Sequence, residues 1–140
     1  MKCGALFAGI GGICTGFGNA GLPTTWAVEA DPHASSTYAK NFPDTRLISR
    51  DIREVTVGGD NLEPVDILHA GFPCQSFSQA GAKMGFNDPR GRLFFEVIRL
   101  IGEFGANRPS VLVFENAPFL RYGEGGAWFL ELQNAIRRAG

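Results

Sequence analysis

The chain has 140 residues, 44% hydrophobic and 19% charged, which allows one domain with a real core and excludes a disordered chain. A net charge of -1 and an isoelectric point near 6.1 argue against a self-sufficient nucleic-acid binder, since the local basic patches are only Arg90-Gly91-Arg92 and Arg137-Arg138. Nineteen glycines fall near turns rather than in a repeat, which excludes collagen-like and low-complexity chains.

In chain order, Ala5-Leu6-Phe7-Ala8 reads as a buried strand, and Gly9-Ile10-Gly11-Gly12 as a tight turn. A helix is predicted from Ile13 to Ala20, closed by Gly21 and Pro23. Thr25–Val28 is a second strand. Asp31-Pro32 starts a second helix, with Asp31 as N-cap and Pro32 in the first helical position, and that helix ends before Pro43. Leu47-Ile48 is a short third strand. Val65–His69 is a fourth, ending at Gly71, and a polar loop runs from Phe72 to Gly91. Leu93, Phe94, Val97, Ile98, Ile101 and Phe104 follow helical spacing and form one apolar face. Val111–Phe114 is a fifth strand. The last helix carries Phe129, Leu132 and Ile136 on one side.

Strands apolar on both faces that alternate with helices predict a mostly parallel sheet covered on both sides. Ligands in such folds sit beyond the carboxyl ends of the strands. Phe7 to Gly12, Glu29, Asp51, Phe72 to Gln75 and Glu115-Asn116 all fall at that edge. Cys3, Cys14 and Cys74 are odd in number and form no Cys-x-x-Cys, which points to a reducing compartment without a disulfide framework or zinc site. No signal peptide is read, and no apolar stretch is long enough to span a bilayer.

The glycines after the first strand allow a ligand close to the backbone at a helix N-terminus, although a plain structural turn explains them equally well. They are not the dinucleotide fingerprint, because Cys14 stands where its third glycine belongs. Glu29, at the end of the second strand, suits ribose hydroxyls; Asp31 reads only as a cap. Cys74 follows a strand end, with Pro73 fixing the backbone before it, and opens an exposed loop where a reactive thiol is useful. Cys3 and Cys14 read as core. Glu115 and Cys74 come from neighbouring strand ends and have the reach to face one substrate, with an exposed acidic turn as the alternative reading of Glu115. His33 reads as helix surface, and His69 as a strand end without a partner.

Phe7-Ala8-Gly9-Ile10-Gly11-Gly12, Glu29, Asp51-Ile52, Gly71 to Ser78, Arg90 to Phe95 and Phe114-Glu115-Asn116, in this order, resemble the DNA cytosine-C5 methyltransferases. The resemblance covers essentially the whole chain. Its most specific part is Pro73-Cys74-Gln75 with Glu115-Asn116 some way downstream. It implies a Rossmann-like S-adenosylmethionine-dependent methyltransferase fold, C-terminally truncated, with residues 1–140 forming the N-terminal portion of the catalytic domain. It implies methyl transfer to C5 of cytosine through a covalent Cys74 adduct at C6, as the modification enzyme of a restriction-modification system. Glu115 would donate to N3, and Asn116 would hold that carboxylate and the loop. Phe7, Gly9, Gly11, Gly12, Glu29, Asp51, Ile52, Pro73 and Leu93 would hold S-adenosylmethionine, with Glu29 on the ribose and Asp51 on the adenine amino group. Gln75, Ser76, Ser78 and Arg90 would belong to a substrate loop made mobile by Gly81 and Gly85. The implied partner is double-stranded DNA with a flipped cytosine. The implied setting is the cytoplasm of a bacterium or its phage, with no membrane role and no metal.

Ala30 and Ala117 stand where the family commonly has larger residues. The family's later arginine-bearing segment, target-recognition domain and C-terminal elements are not among the 140 residues, so a second chain supplying them, or an inactive fragment, is an alternative. The chain alone is expected to transfer little methyl. An RNA cytosine-C5 methyltransferase and an NAD-type oxidoreductase are the rival enzyme readings; the missing third glycine speaks against the latter.

Overall fold

The computed structural model describes residues 1–77 and 84–140. Its sheet is parallel throughout, in the order β3-β2-β1-β4-β5. The strands are β1 Cys3–Leu6, β2 Thr24–Val28, β3 Arg46–Ile48, β4 Ile67–Ala70 and β5 Val111–Phe114. The helices are α1 Gly12–Asn19, α2 Pro32–Asn41, α3 Leu93–Glu103, α4 Phe119–Tyr122 and α5 Ala127–Ala139.

Side chains alternate across this sheet. Leu6, Trp26, Val28, Ile48, Leu68 and Ala70 face α3, where Val97, Leu100, Ile101 and Phe104 cover them. Ala5 and Ala27 face the other way, onto Cys14 of α1 and Tyr38 of α2. Each large apolar side chain so buried contributes roughly 1.5–3 kcal/mol. Gly4 is required on the crowded face, because a Cβ there would stand 2.4 Å from the Trp26 ring. A third cluster joins Phe72, Phe77, Phe86 and Phe94 to Trp128 and Leu132 of α5.

Asp31 caps α2 as expected, its carboxylate accepting from the Ala34 N–H at 2.7 Å. Gly21, at φ 77°, closes α1. Four expectations need correction. β1 ends at Leu6 instead of Ala8, because Phe7 adopts φ 54° and turns the chain out of the sheet. β4 starts at Ile67 instead of Val65: the Asp66 and Ile67 amides both donate to the Lys2 carbonyl, and pairing begins there. α5 points Trp128, Leu132 and Ala135 inward, while Phe129 and Ile136 are only half-buried.

His69 is the fourth correction. It is fully buried, stacks on Phe17 with ring centroids 5.3 Å apart, and has Nε2 3.4 Å from Cys14 Sγ. The Tyr38 hydroxyl donates to the same sulfur at 3.2 Å. A buried Tyr38–Cys14–His69 chain thus ties α2, α1 and β4 together.

Among the described residues, no helix is long and apolar enough to cross a membrane.

Candidate active site

Order reverses between β1 and β4, and such a switch opens a crevice at the strand carboxyl ends. Phe7, Glu29, Asp51, Ile52, Pro73 and Leu93 line one cleft of about 230 Å³ there. These are six of the residues expected to hold a cofactor. Val28, Ala30, Asp31 and Arg50 also line it. In the sequence Ala30 reads as a departure from the family and Asp31 as a cap, and Arg50 carries no expectation; its place directly before Asp51 is the signal the sequence offers.

Glu29 holds the cleft together. Its Oε2 accepts from the Gly9 N–H at 2.7 Å and its Oε1 from the Asp31 N–H at 2.8 Å. The carboxylate therefore joins the β1–α1 turn to the end of β2. A carboxylate offers about four acceptor sites, so each Glu29 oxygen keeps one for a ligand. Asp51 caps the 3₁₀ turn Ile52–Glu54 and is forked by Arg53, which holds its carboxyl below the usual range.

The three glycines divide. A Cβ on Gly9 or Gly12 would meet only open space, leaving the turn bare where a ligand can approach. Gly11, at φ 97°, would put a Cβ 2.0 Å from the Phe42 ring. Its lack of a side chain serves packing, and it is buried.

Cys74 is exposed, beyond the end of β4 and directly after the cleft residue Pro73. Glu115, also exposed, follows the neighbouring strand β5; its Oε2 would lie 3.5 Å from a Cβ on Gly71. Thiol and carboxylate thus leave adjacent strand ends. Asn116 braces them: its Nδ2 donates to the Phe72 carbonyl at 2.8 Å, and its Oδ1 accepts from the Ala117 N–H at 2.9 Å. It holds the loop; its hydrogen bonds do not run to the Glu115 carboxylate.

The substrate-loop residues separate as well. Gln75 is exposed. Ser76 is fully buried, and its carbonyl accepts from the Gly85 N–H at 3.0 Å. Ser78 and Gly81 lie outside the described residues. Gly85 is not a free hinge, because a Cβ there would stand 2.2 Å from the Trp128 ring nitrogen. Arg90 forks onto Asp88 at 3.1 and 2.9 Å, and that pairing holds the Asp88 carboxyl down at about 2.

A second cleft of about 220 Å³ lies outside β5, lined by Phe72, Phe114, Asn116, Leu120, Phe129 and Leu132 among others. Among the described residues no carboxylate lines it, whereas Glu29, Asp31 and Asp51 line the first cleft.

A family model described as C-5 cytosine-specific DNA methylase matches residues 1–140. The type II methyltransferase M.Bsp6I of Bacillus sp. strain RFL6 is 41% identical, over 100% of this chain and 43% of its own length. M.Eco47II of Escherichia coli is 40% identical over 96% of this chain and 31% of its own length. Among solved structures, a DNA modification methyltransferase encoded within an E. coli prophage superposes with a TM-score of 0.78 at 28% identity. It covers 99% of this chain, which spans 38% of it. The chain therefore spans less than half the length of these relatives.

Proposed function

Because the chain belongs to the C-5 cytosine-specific DNA methylase family, we propose that it carries the cofactor cleft and nucleophile of a DNA cytosine-C5 methyltransferase serving restriction-modification. The observation that carries this reading is the single cleft formed by Phe7, Glu29, Asp51, Ile52, Pro73 and Leu93, whose wall runs directly into the exposed Cys74.

The residues present fit S-adenosylmethionine. The two Glu29 oxygens, each with one acceptor site left, match the two hydroxyls of a ribose. Asp51 offers a carboxylate to the adenine amino group, Phe7 and Leu93 supply apolar wall, and the bare Gly9 and Gly12 leave room for the methionine end. When bound, the cofactor supplies an electrophilic methyl group.

The target is a cytosine flipped out of double-stranded DNA. Carbon 5 of cytosine is a poor nucleophile. Addition of the Cys74 thiolate at C6 raises electron density at C5, and Glu115 donates a proton toward N3 as that ring nitrogen gains charge. Once C5 carries the methyl group, its proton leaves to a base. The ring electrons then expel Cys74 as a thiolate, the N3 proton returns to Glu115, and the aromatic base is restored. Asn116 serves by fixing the Phe72 carbonyl, two residues before the nucleophile. Recognition of the DNA sequence is assigned to polypeptide beyond these residues, in the same chain or a second one, which agrees with the near-neutral charge here. The free cysteines suit the bacterial cytoplasm.

Calorimetric titration with S-adenosylhomocysteine tests the reading. One-to-one binding that Glu29→Gln weakens supports it. A folded chain that ignores this ligand and takes up NADH would sink it.

A further inference from the structure

Asp51 is held through three hydrogen bonds by one neighbour, Arg53. Its Oδ1 accepts from both the Arg53 backbone N–H and Arg53 Nε, each at 2.9 Å, and its Oδ2 accepts from Arg53 Nη2 at 2.6 Å. Capping the 3₁₀ turn needs only the first of these bonds. The guanidinium fork adds two more and fixes the plane of the carboxylate. Of about four acceptor sites on a carboxylate, three are then taken, and the one left is on Oδ2. Arg53 stands behind this arrangement, outside the cleft lining, with its side chain 64% exposed, whereas that of Asp51 is 31% exposed and forms part of the wall.

We propose that Arg53 is a positioning residue that turns Asp51 into an acceptor for a single ligand N–H, setting the preference of the cleft for a 6-amino purine over a 6-oxo purine. This rests on the assignment of the cleft to the adenosyl group. A fixed, ionised acceptor with one open site rewards an amino group and repels a carbonyl oxygen in the same place. The lowered pKa of Asp51, caused first by the Arg53 hydrogen bonds, keeps the acceptor ionised in mildly acidic solution. An exposed pair of this kind adds little to folding, so Arg53 is replaceable without loss of the domain.

The test is calorimetric binding of S-adenosylhomocysteine and its inosine counterpart, S-inosylhomocysteine, to the wild-type chain, Arg53→Ala, Arg53→Lys and Asp51→Ala, with thermal unfolding of each. The wild type is expected to favour the adenosine form by about tenfold or more, and Asp51→Ala to erase that preference. Arg53→Ala is expected to cut it roughly three- to tenfold, mainly by weakening the adenosine form, at unchanged melting temperature. Arg53→Lys keeps the charge but not the fork and is expected to follow alanine. Equal weakening of both ligands, no change, or full rescue by lysine overturns the inference while leaving the cleft assignment standing. Binding of neither ligand by the wild type overturns both.

Discussion

The Asn116 side-chain amide donates to the Phe72 carbonyl at 2.8 Å, so the end of β5 is tied to the loop that presents Cys74. The same side chain accepts from the Ala117 N–H, which gives the two halves of the amide separate tasks. Asn116→Ala releases both partners and is expected to cost about 1–2 kcal/mol, or a few degrees in melting temperature. Asn116→Asp keeps the acceptor but loses the donor, so it should destabilise through the Phe72 end alone. Thermal unfolding followed by circular dichroism of both variants checks the division.

Glu29→Gln replaces two acceptor oxygens by one oxygen and one N–H. The new N–H must face either the Gly9 or the Asp31 amide, both of which are donors. Affinity for S-adenosylhomocysteine should fall at least about tenfold, since hydrogen bonds to a charged group are worth roughly 1.5–3 kcal/mol. An unchanged binding isotherm would remove Glu29 from the ligand contacts.

The glycines of the first turn should part company on substitution. Gly11→Ala drives a methyl group into the Phe42 ring at a positive φ and is expected to destabilise the fold by about 2 kcal/mol or more. Gly12→Ala meets nothing in the chain and should leave the melting temperature level or slightly raised. It should nonetheless weaken S-adenosylhomocysteine binding, because the added methyl group enters the space left for the methionine end. Paired melting and calorimetry on the two variants gives the answer.

Thiol labelling under native conditions should modify one cysteine quickly. Cys74 is exposed, while Cys3 and Cys14 are buried and burial pushes the Cys3 thiol up. Unfolding in urea should release all three. Cys74→Ser should leave the native chain almost inert to the reagent; fast labelling of that variant would place another thiol at the surface.

Burial pushes His69 down to about 4 from an ordinary value near 6.5. The unfolded chain therefore binds a proton that the folded chain refuses between those values. Stability from this source is full above about pH 6.5 and is lost as pH falls toward 4, by up to about 3 kcal/mol. Urea denaturation at a series of pH values should show that slope in the wild type and a flatter one in His69→Phe. Asp88, held low by Arg90, acts in a separate window, weakening the fold only as pH drops below the ordinary carboxylate range.

Much of this was legible in the residues. The Val111–Phe114 run forms a strand with the expected bounds, and Asp31-Pro32 starts a helix because cap chemistry is local. That Phe7, Glu29, Asp51, Pro73 and Leu93 gather at one cleft was legible through residue type at strand ends. What escaped depends on distant partners. Ser76 and Gly85 sit in a stretch that reads as polar loop, yet the aromatic cluster around Trp128 draws both into the interior. Trp128 itself was overlooked because the kink at Glu124 and Gly125, both at positive φ, sets where α5 begins and which face turns inward. His69 has no neighbour in sequence to announce Cys14 and Phe17, which arrive from α1 across the sheet. Arg53 lies beside Asp51 in sequence, but only the turn geometry folds its guanidinium back onto the carboxylate.

The placement of β1 between β2 and β4 has a kinetic consequence. Cys3 to Leu6 pair on one side with Thr24 to Val28 and on the other with Ile67 to Ala70. A chain emerging from the ribosome makes its central strand first, yet that strand stays half-paired until Ala70 has appeared. The reversal that opens the cleft thus delays its own completion, and closure of long parallel pairings is the slow kind of folding event. Trp26 packs against Phe104 from the far side of that closure, so its fluorescence should report the moment when the early and late segments meet.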